Sequence, residues 1–202
     1  MKKIILSAVF AMVSLFTIAQ EKQKEIGINF ESLNGFGITY RSGTAKSLWR
    51  YNLLSTNVGK SNNNFEQVNA TENSSTNNST NINLTASFGK EFRKPITKNL
   101  EYRYGADIGF SYFQVITKTS SNFSNIETKS NNYSPSINAV LGVNYLINKN
   151  ISFGVEILPS VRYSFGNNES TNDGEKIGET NNESWSIGLN NDFARLSLIY
   201  RF

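Results

Sequence analysis

The residues with the greatest capacity for chemistry are arginines and carboxylates that share the polar side of an alternating pattern. All seven arginines have this parity: Arg41, Arg50, Arg93, Arg103, Arg162, Arg195 and Arg201. Five carboxylates share it: Glu31, Glu91, Glu101, Asp107 and Glu156. A planar guanidinium group can meet a carboxylate through two hydrogen bonds, so this set can form buried ion pairs. The 13 lysines lie instead in the N-terminal segment, turns, loops and strand ends.

Two residue types are missing, and their absence excludes several kinds of site. The chain of 202 residues contains no His and no Cys. Histidine-based catalytic triads, thiol nucleophiles, disulfides and Cys- or His-ligated metal sites are therefore excluded. The acidic stretch 167–183 does not fit an EF-hand register, although it leaves weak divalent binding open. We predict a protein that is not an enzyme and that has no cofactor or resident metal.

Apolar and polar residues alternate with a period of two along most of the chain. In 151–166, for example, Phe153, Val155 and Ile157 alternate with Gly154 and Glu156. Successive side chains of a strand point to opposite faces, so this pattern predicts strands with one apolar face. Eight segments show it: 26–31, 36–41, 49–54, 81–89, 100–113, 136–147, 151–166 and 194–202.

The connections between these strands alternate in length after the first pair. Short turns are expected at 42–47, 94–99 and 148–150, and long polar loops at 59–80, 119–132 and 167–183. Only Leu33-Asn34-Gly35 is short where a long loop would be expected. This arrangement is typical of outer-membrane barrels. It predicts an all-β fold, an eight-stranded antiparallel up-and-down transmembrane β-barrel.

The distribution of side chains predicts that the apolar face points outward into lipid. The apolar positions carry no charge, and the opposite face is rich in small residues that suit a narrow interior. Aromatic residues near the strand ends are expected at the membrane interfaces: Tyr40, Trp49, Tyr51, Tyr102, Tyr104, Tyr112, Tyr145, Tyr163, Tyr200 and Phe202. A secreted soluble barrel that carries an apolar ligand is the alternative, since its apolar faces would point inward.

The N-terminus has the pattern of an export signal. Lys2 and Lys3 precede an apolar run, and Thr17-Ile18-Ala19 offers small residues for cleavage. A transmembrane helix needs about 20 apolar residues, and this run is shorter. We therefore predict a signal peptide at 1–19 and a barrel domain at 20–202. Without the two lysines the net charge falls from +4 to +2, which does not indicate nucleic-acid binding.

The chain resembles the small Gram-negative outer-membrane β-barrels of the OmpA transmembrane-domain and OmpX type. The C-terminal alternation of Leu198, Tyr200 and Phe202 is similar to that family's assembly signal, although Ser197 stands where the family often has Gly. The resemblance implies outer-membrane localisation and insertion by the outer-membrane assembly machinery. It leaves the function open, since members include structural proteins, adhesins and a few enzymes.

Two features are candidates for function, and each has two interpretations. The inward charges are expected to form a structural plug, and a narrow channel for ions or small solutes is the alternative. The Asn-, Ser- and Thr-rich loops could bind a surface ligand or be flexible and solvated. We predict a monomer with a structural or interaction role. The sequence does not decide which face of a strand Glu25, Asp192 and the residues of 185–191 occupy. A bulge there would move the following residues to the opposite face.

Overall fold

A computed structural model describes residues 23–32, 35–66, 74–121, 124–188 and 194–202. The predicted signal peptide, residues 1–19, lies outside this range. Among the described residues there is no helix long and apolar enough to cross a membrane. They form ten strands: β1 (Gln23–Ser32), β2 (Gly35–Thr44), β3 (Ser47–Glu66), β4 (Ser74–Thr97), β5 (Leu100–Ser121), β6 (Asn125–Leu146), β7 (Ile151–Ile157), β8 (Ser160–Asn172), β9 (Glu175–Gly188) and β10 (Ala194–Arg201).

The antiparallel pairings of these strands form a closed circuit. Strands β1 to β6 each pair with the next, β6 pairs with β7, β7 with β10, and β10 with β1. Following directly paired residues from Ile28 through β2, β3, β4 and β5 leads to Pro135 of β6. Following them from Ile28 through β10 and β7 leads to Tyr145 of the same strand. This stagger of ten residues means that the strands are inclined to the axis of the ring.

The number of strands differs from the predicted eight for two reasons. The segment 151–166 is divided at Leu158-Pro159 into β7 and β8, because proline has no N–H to donate to a strand ladder. Both parts still lie along the same edge of β6. Strand β9 occupies much of a stretch that the sequence predicts to be a loop, and it pairs with β8.

The prediction of three long loops at 59–80, 119–132 and 167–183 is wrong. Their described parts continue the strands: Lys60 pairs with Thr80, Thr119 with Ile126, and Asn168 with Thr180. Residues 67–73 and 122–123 lie outside the described part of the chain. The low-complexity composition favours solvated loops, but each stretch extends a ladder that is already in register. Continued pairing satisfies the backbone N–H and C=O groups, whatever the polar side chains are.

The two faces of the ring have opposite polarity. Outward positions of β5 such as Ile108 and Phe110 are exposed, whereas the inward Arg103 and Asp107 are buried. Few apolar side chains lie inside, and among the described residues the buried apolar cluster consists of Val140 and Leu158. A soluble protein has the reverse distribution, because it hides apolar surface from water. The surface of this ring is therefore suited to lipid.

The open register between β9 and β10 is explained by a difference in chain length. Ile187 pairs with Val161 and Ala194 with Ile157, and both pairs lie on the outward face. Since Ser160 pairs with Gly188, the chain has five residues between Gly188 and Ala194 but two between Ile157 and Ser160. These three additional residues exchange odd and even positions between β9 and β10, so Trp185 and Leu196 can lie on the same face of the sheet.

Candidate functional site

The inward face of the ring brings charged residues from all parts of the chain into one cluster. We call it the inner charge cluster. Its members are Glu25, Arg41, Arg50, Glu91, Arg93, Glu101, Arg103, Asp107, Glu156, Arg195 and Arg201. Arg41, Arg50 and Arg103 are completely buried, as are three of the carboxylates. An isolated buried charge is strongly unfavourable, so each of these charged groups depends on its neighbours of opposite charge for stabilisation.

Two carboxylates lie at the centre of the cluster. Glu156 is 2.8 Å from Arg50 and 3.4 Å from Arg103. Glu91 is 2.7 Å from Arg93, 3.2 Å from Arg50 and 3.6 Å from Arg103. Arg50 lies 106 positions from Glu156 in the chain and donates two hydrogen bonds to it. The cluster therefore ties distant strands together across the interior.

A second group of ion pairs lies towards the short turns. Glu25 accepts two hydrogen bonds of 2.7 Å from Arg93 and lies 2.9 Å from Arg201. Arg201 also donates a 2.7 Å hydrogen bond to Glu101. Glu25, whose register the sequence left open, thus belongs to the cluster. The signal that could have found it is its parity, opposite to that of Ile26 and Ile28.

The middle of the cluster is held by charge more than by hydrogen bonds. Arg41 lies 3.5 Å from Glu91 and 3.5 Å from Glu25, and Asp107 lies 3.3 Å from Arg50. Within the described residues, no nitrogen of the Arg41 or Arg103 guanidinium groups has a hydrogen-bond partner. Their attraction to the neighbouring carboxylates is therefore mainly coulombic.

A glycine makes room for one of these guanidinium groups. A Cβ at Gly154 would lie 2.7 Å from Nη2 of Arg103, 2.6 Å from Oγ of Ser197 and 2.7 Å from Oδ1 of Asn144. These polar atoms converge where a side chain would otherwise be. The alternation of small residues with charged ones on the inward face therefore has a steric reason, because a narrow ring leaves little space.

Two residues of the predicted charged set are not among the members of the inner charge cluster. Arg162 is half-buried on the inward face of β8, opposite Ser136 of β6 and nearer the long hairpins than the cluster. The side chain of Glu31 lies outside the described part of the chain. Arg195 is in the cluster, 4.0 Å from Glu156.

The aromatic residues form two bands on the outward face. The band near the short turns contains Tyr40, Trp49, Tyr51, Tyr102, Tyr104, Tyr145, Tyr200 and Phe202, and ring contacts join several of them. The band near the long hairpins is a continuous series of ring contacts: Tyr112, Tyr133, Phe165, Tyr163 and Trp185. We call these the lower and upper aromatic bands.

The sequence analysis missed Tyr133 because it lies outside the segment with clear alternation. Its ring is 5.2 Å from that of Tyr112 and 5.5 Å from that of Phe165. Trp185, whose register was open, is 72% exposed and packs on Tyr163 at 4.7 Å. Tyr102 and Tyr112, one in each band, are separated by about 33 Å of extended strand.

Beyond the upper aromatic band the strands carry exposed charged side chains. Lys118 lies 2.8 Å from Glu127 and Lys176 lies 2.6 Å from Glu179. The hydrogen bond to Glu179 raises the pKa of Lys176 and lowers that of the carboxyl group. Among the described residues, no three carboxylates come together as a metal site. Charged side chains here indicate that this region lies in water.

A closed circuit of antiparallel strands with an apolar outer face, two aromatic bands and a charged interior defines an outer-membrane β-barrel protein. The chain belongs to the putative OmpA-OmpF-like porin family, whose model matches residues 45–189. This confirms the resemblance inferred from the sequence and places the protein in the outer membrane. No curated protein matches the chain.

Two solved structures are similar to the chain at low sequence identity. The crystal structure of a major outer membrane protein from Thermus thermophilus is 12% identical, with a TM-score of 0.43, and covers 91% of this chain and 100% of that one. Acinetobacter baumannii CarO is 13% identical, with a TM-score of 0.31, and covers 89% of this chain and 96% of that one.

Proposed function

We propose that the protein is an eight-stranded barrel with a closed interior that anchors a binding surface outside the cell. The observation that carries this proposal is the inner charge cluster, whose central arginines and carboxylates are completely buried. A porin needs a water-filled interior, and charged groups beside water would be exposed. A cluster without exposure instead supports a structural plug.

The pairing supports eight barrel strands built from the ten elements. Strands β7 and β8 follow one another along β6, and β9 and β10 follow one another along that pair. Counting each as one interrupted strand gives eight. A stagger of ten residues around eight strands corresponds to an inclination of about 40°. The two aromatic bands are then about 25 Å apart along the membrane normal, the height of the apolar band in such barrels.

A narrow channel remains the second candidate, because the family is described as porin-like. Such a channel would have to pass Arg41, Arg50 and Glu156, which are completely buried. Eight-stranded barrels have an interior that side chains just fill. The secreted soluble barrel is not supported, since its apolar side chains would lie inside.

The surface for interaction is the part of the sheet that extends past the upper aromatic band. Strand β5 continues for nine residues from Tyr112 to Ser121, which is about 30 Å of extended chain. Its neighbours β3, β4, β6, β8 and β9 extend with it. We propose that this rigid extension, in place of flexible loops, carries the binding role of the protein.

The remaining expectations concern biogenesis and partners. We propose that residues 1–19 direct export and that the assembly machinery recognises Leu198, Tyr200 and Phe202. Phe202 is exposed, and its backbone N–H donates a 2.9 Å hydrogen bond to Lys24. We further propose a monomer surrounded by outer-membrane lipid, without enzymatic activity or nucleic-acid binding.

The position of the extension outside the cell can be tested by labelling, because the chain contains no natural cysteine. Asn62→Cys lies on the exposed part of β3, and Lys98→Cys lies in the short turn between β4 and β5. We expect a membrane-impermeant maleimide to label Asn62→Cys on intact cells and Lys98→Cys only after permeabilisation. Labelling of Lys98→Cys alone on intact cells would contradict the proposed orientation.

A further inference from the structure

The part of the sheet beyond the upper aromatic band has its charges on one face. We call this part the outer sheet; it comprises 58–66, 74–83, 113–121, 125–132, 166–172 and 175–183. The pairing register with Tyr112 and Tyr133 assigns the outward face. Among the residues whose side chains the structure describes, eight charged residues have that parity: the ion pairs Lys118–Glu127 and Lys176–Glu179, and Lys60, Lys129, Glu169 and Glu183.

The inner face of the outer sheet has a different chemistry. Most of its described residues are Asn, Ser, Thr and Gly. The others are three apolar residues, Phe113, Val115 and Ile126, and Glu175 at the tip of the last hairpin. The register therefore separates a charged face from a neutral polar face. Solubility alone would be served by charges on both faces, so the neutral face requires another explanation.

A cleft of about 360 Å³ lies on this neutral face. Its volume is in the range of small-ligand sites, about 300–1,000 Å³. Six of its lining residues have inward parity and carry the argument: Phe113, Ser130, Asn132, Asn168, Asn182 and Ser184. Asn131 and Glu183, which have outward parity, also border the cleft. Phe113 is 40% exposed there, on an otherwise polar wall. Asn168 and Asn182 bring side-chain amides to this lining, and an amide can both donate and accept hydrogen bonds.

The cleft is open from the side because two strands are missing from the outer sheet. Strand β1 ends at Ser32 and β2 begins at Gly35, so β3 beyond Leu54 and strand β9 pair on one edge only within the described residues. Two absent strands leave a gap of about 14 Å between these edges. The small number of residues between β1 and β2, unusual in the sequence, thus leaves the described outer sheet with two unpaired edges.

These groups favour one class of ligand. An amide or a hydroxyl can both donate and accept hydrogen bonds, which matches a molecule covered with hydroxyl groups. An exposed aromatic ring offers an apolar surface to the C–H face of a sugar ring. The neutral wall supplies no arginine or lysine to balance an acidic ligand, whose desolvated charge would be costly.

We propose that this cleft binds a neutral oligosaccharide, which gives a ligand class to the surface role proposed above and rests on it. Phe113 stacks against a sugar ring, and Asn132, Asn168 and Asn182 bind its hydroxyl groups. Glu183, which borders the cleft, would repel an acidic ligand.

The test is binding of the full-length protein in lipid nanodiscs to an array of neutral, sialylated and sulfated oligosaccharides. Neutral members should be bound in preference to the others. Asn182→Asp should weaken that binding about tenfold or more, because it removes a donor and adds an uncompensated charge. Asn181→Asp is the matched control: it makes the same change one residue away, on the outward face, and should leave binding unchanged. Phe113→Ala should also weaken binding.

Binding of no neutral oligosaccharide, a preference for acidic ones, or equal losses in Asn181→Asp and Asn182→Asp would overturn the proposal. The labelling of Asn62→Cys separates this failure from that of the proposed function. If Asn62→Cys is labelled on intact cells and no neutral oligosaccharide binds, the outer sheet stands outside the cell but has another kind of ligand. If it is not labelled, the surface role itself fails.

Discussion

Replacing Glu156 with leucine should lower the free energy of unfolding by about 3–5 kcal/mol, the usual cost of breaking a buried ion pair by removing one partner. Glu156 lies within 4.0 Å of Arg41, Arg50, Arg103 and Arg195. Without it these guanidinium groups would repel one another in an interior that excludes water. Urea unfolding in lipid vesicles, followed by heat-modifiable gel mobility, measures the change.

The matched control for this variant is Glu127→Leu. Glu127 also has an ion pair of 2.8 Å, with Lys118, but both side chains are largely exposed. Exposed pairs contribute about 0–1 kcal/mol, so this variant should unfold almost like the wild type. Arg103→Leu should behave like Glu156→Leu and create no new activity. Equal stability of Glu156→Leu and Glu127→Leu would show that the inner charge cluster does not hold the barrel together.

Replacing Ile108 with arginine should destabilise the membrane-inserted protein by about 2–4 kcal/mol, the cost of a cation at the midplane of the lipid-facing surface. Ile108 is 62% exposed on the outward face of β5, midway between Tyr104 and Tyr112. In a soluble barrel the same substitution would add a charge to a solvated surface and have little effect. Unfolding in vesicles therefore distinguishes a lipid-facing from a water-facing surface.

Ile116→Arg is the control for Ile108→Arg. It changes the same residue type on the same strand and the same face, four positions past Tyr112 in the upper aromatic band. At and beyond the interface the cost of arginine falls to about 0–1 kcal/mol. If Ile116→Arg were as harmful as Ile108→Arg, the membrane would extend further along β5 than the aromatic bands indicate.

Much of the ring could be predicted because a barrel wall has a simple rule of alternation. Each strand within the membrane has one face in lipid and one in a narrow interior. The face of a residue such as Ile108 or Arg103 therefore follows from whether its position in the strand is even or odd. The interruption at Pro159 was not predicted, since the alternation continues through 151–166 as in a single strand. The partners within the cluster could not be predicted in this way. Arg50 and Glu156 meet only because the circuit closes, and parity contains no information on stagger.

The outer sheet could not be predicted because the rule of alternation ends where the membrane ends. In water neither face has to be apolar, and Asn, Ser and Thr then resemble loop residues. The backbone nevertheless continues its ladder, as the pairing of Asn62 with Asn78 illustrates. Tyr133 was misjudged for the same reason, since it lies at this boundary. The charge on alternate residues, such as Glu127 and Lys129, was the remaining sign of strands.

The most direct test of the account is the electrical conductance of the purified, folded protein in planar lipid bilayers. Heat-modifiable mobility of the same preparation establishes that the barrel is folded. On the proposal that the inner charge cluster fills the interior from Glu25 and Glu91 to Glu156, we predict no steady ion conductance above that of the bare bilayer. A steady, ohmic conductance from the wild-type protein would contradict the plug and favour the narrow channel.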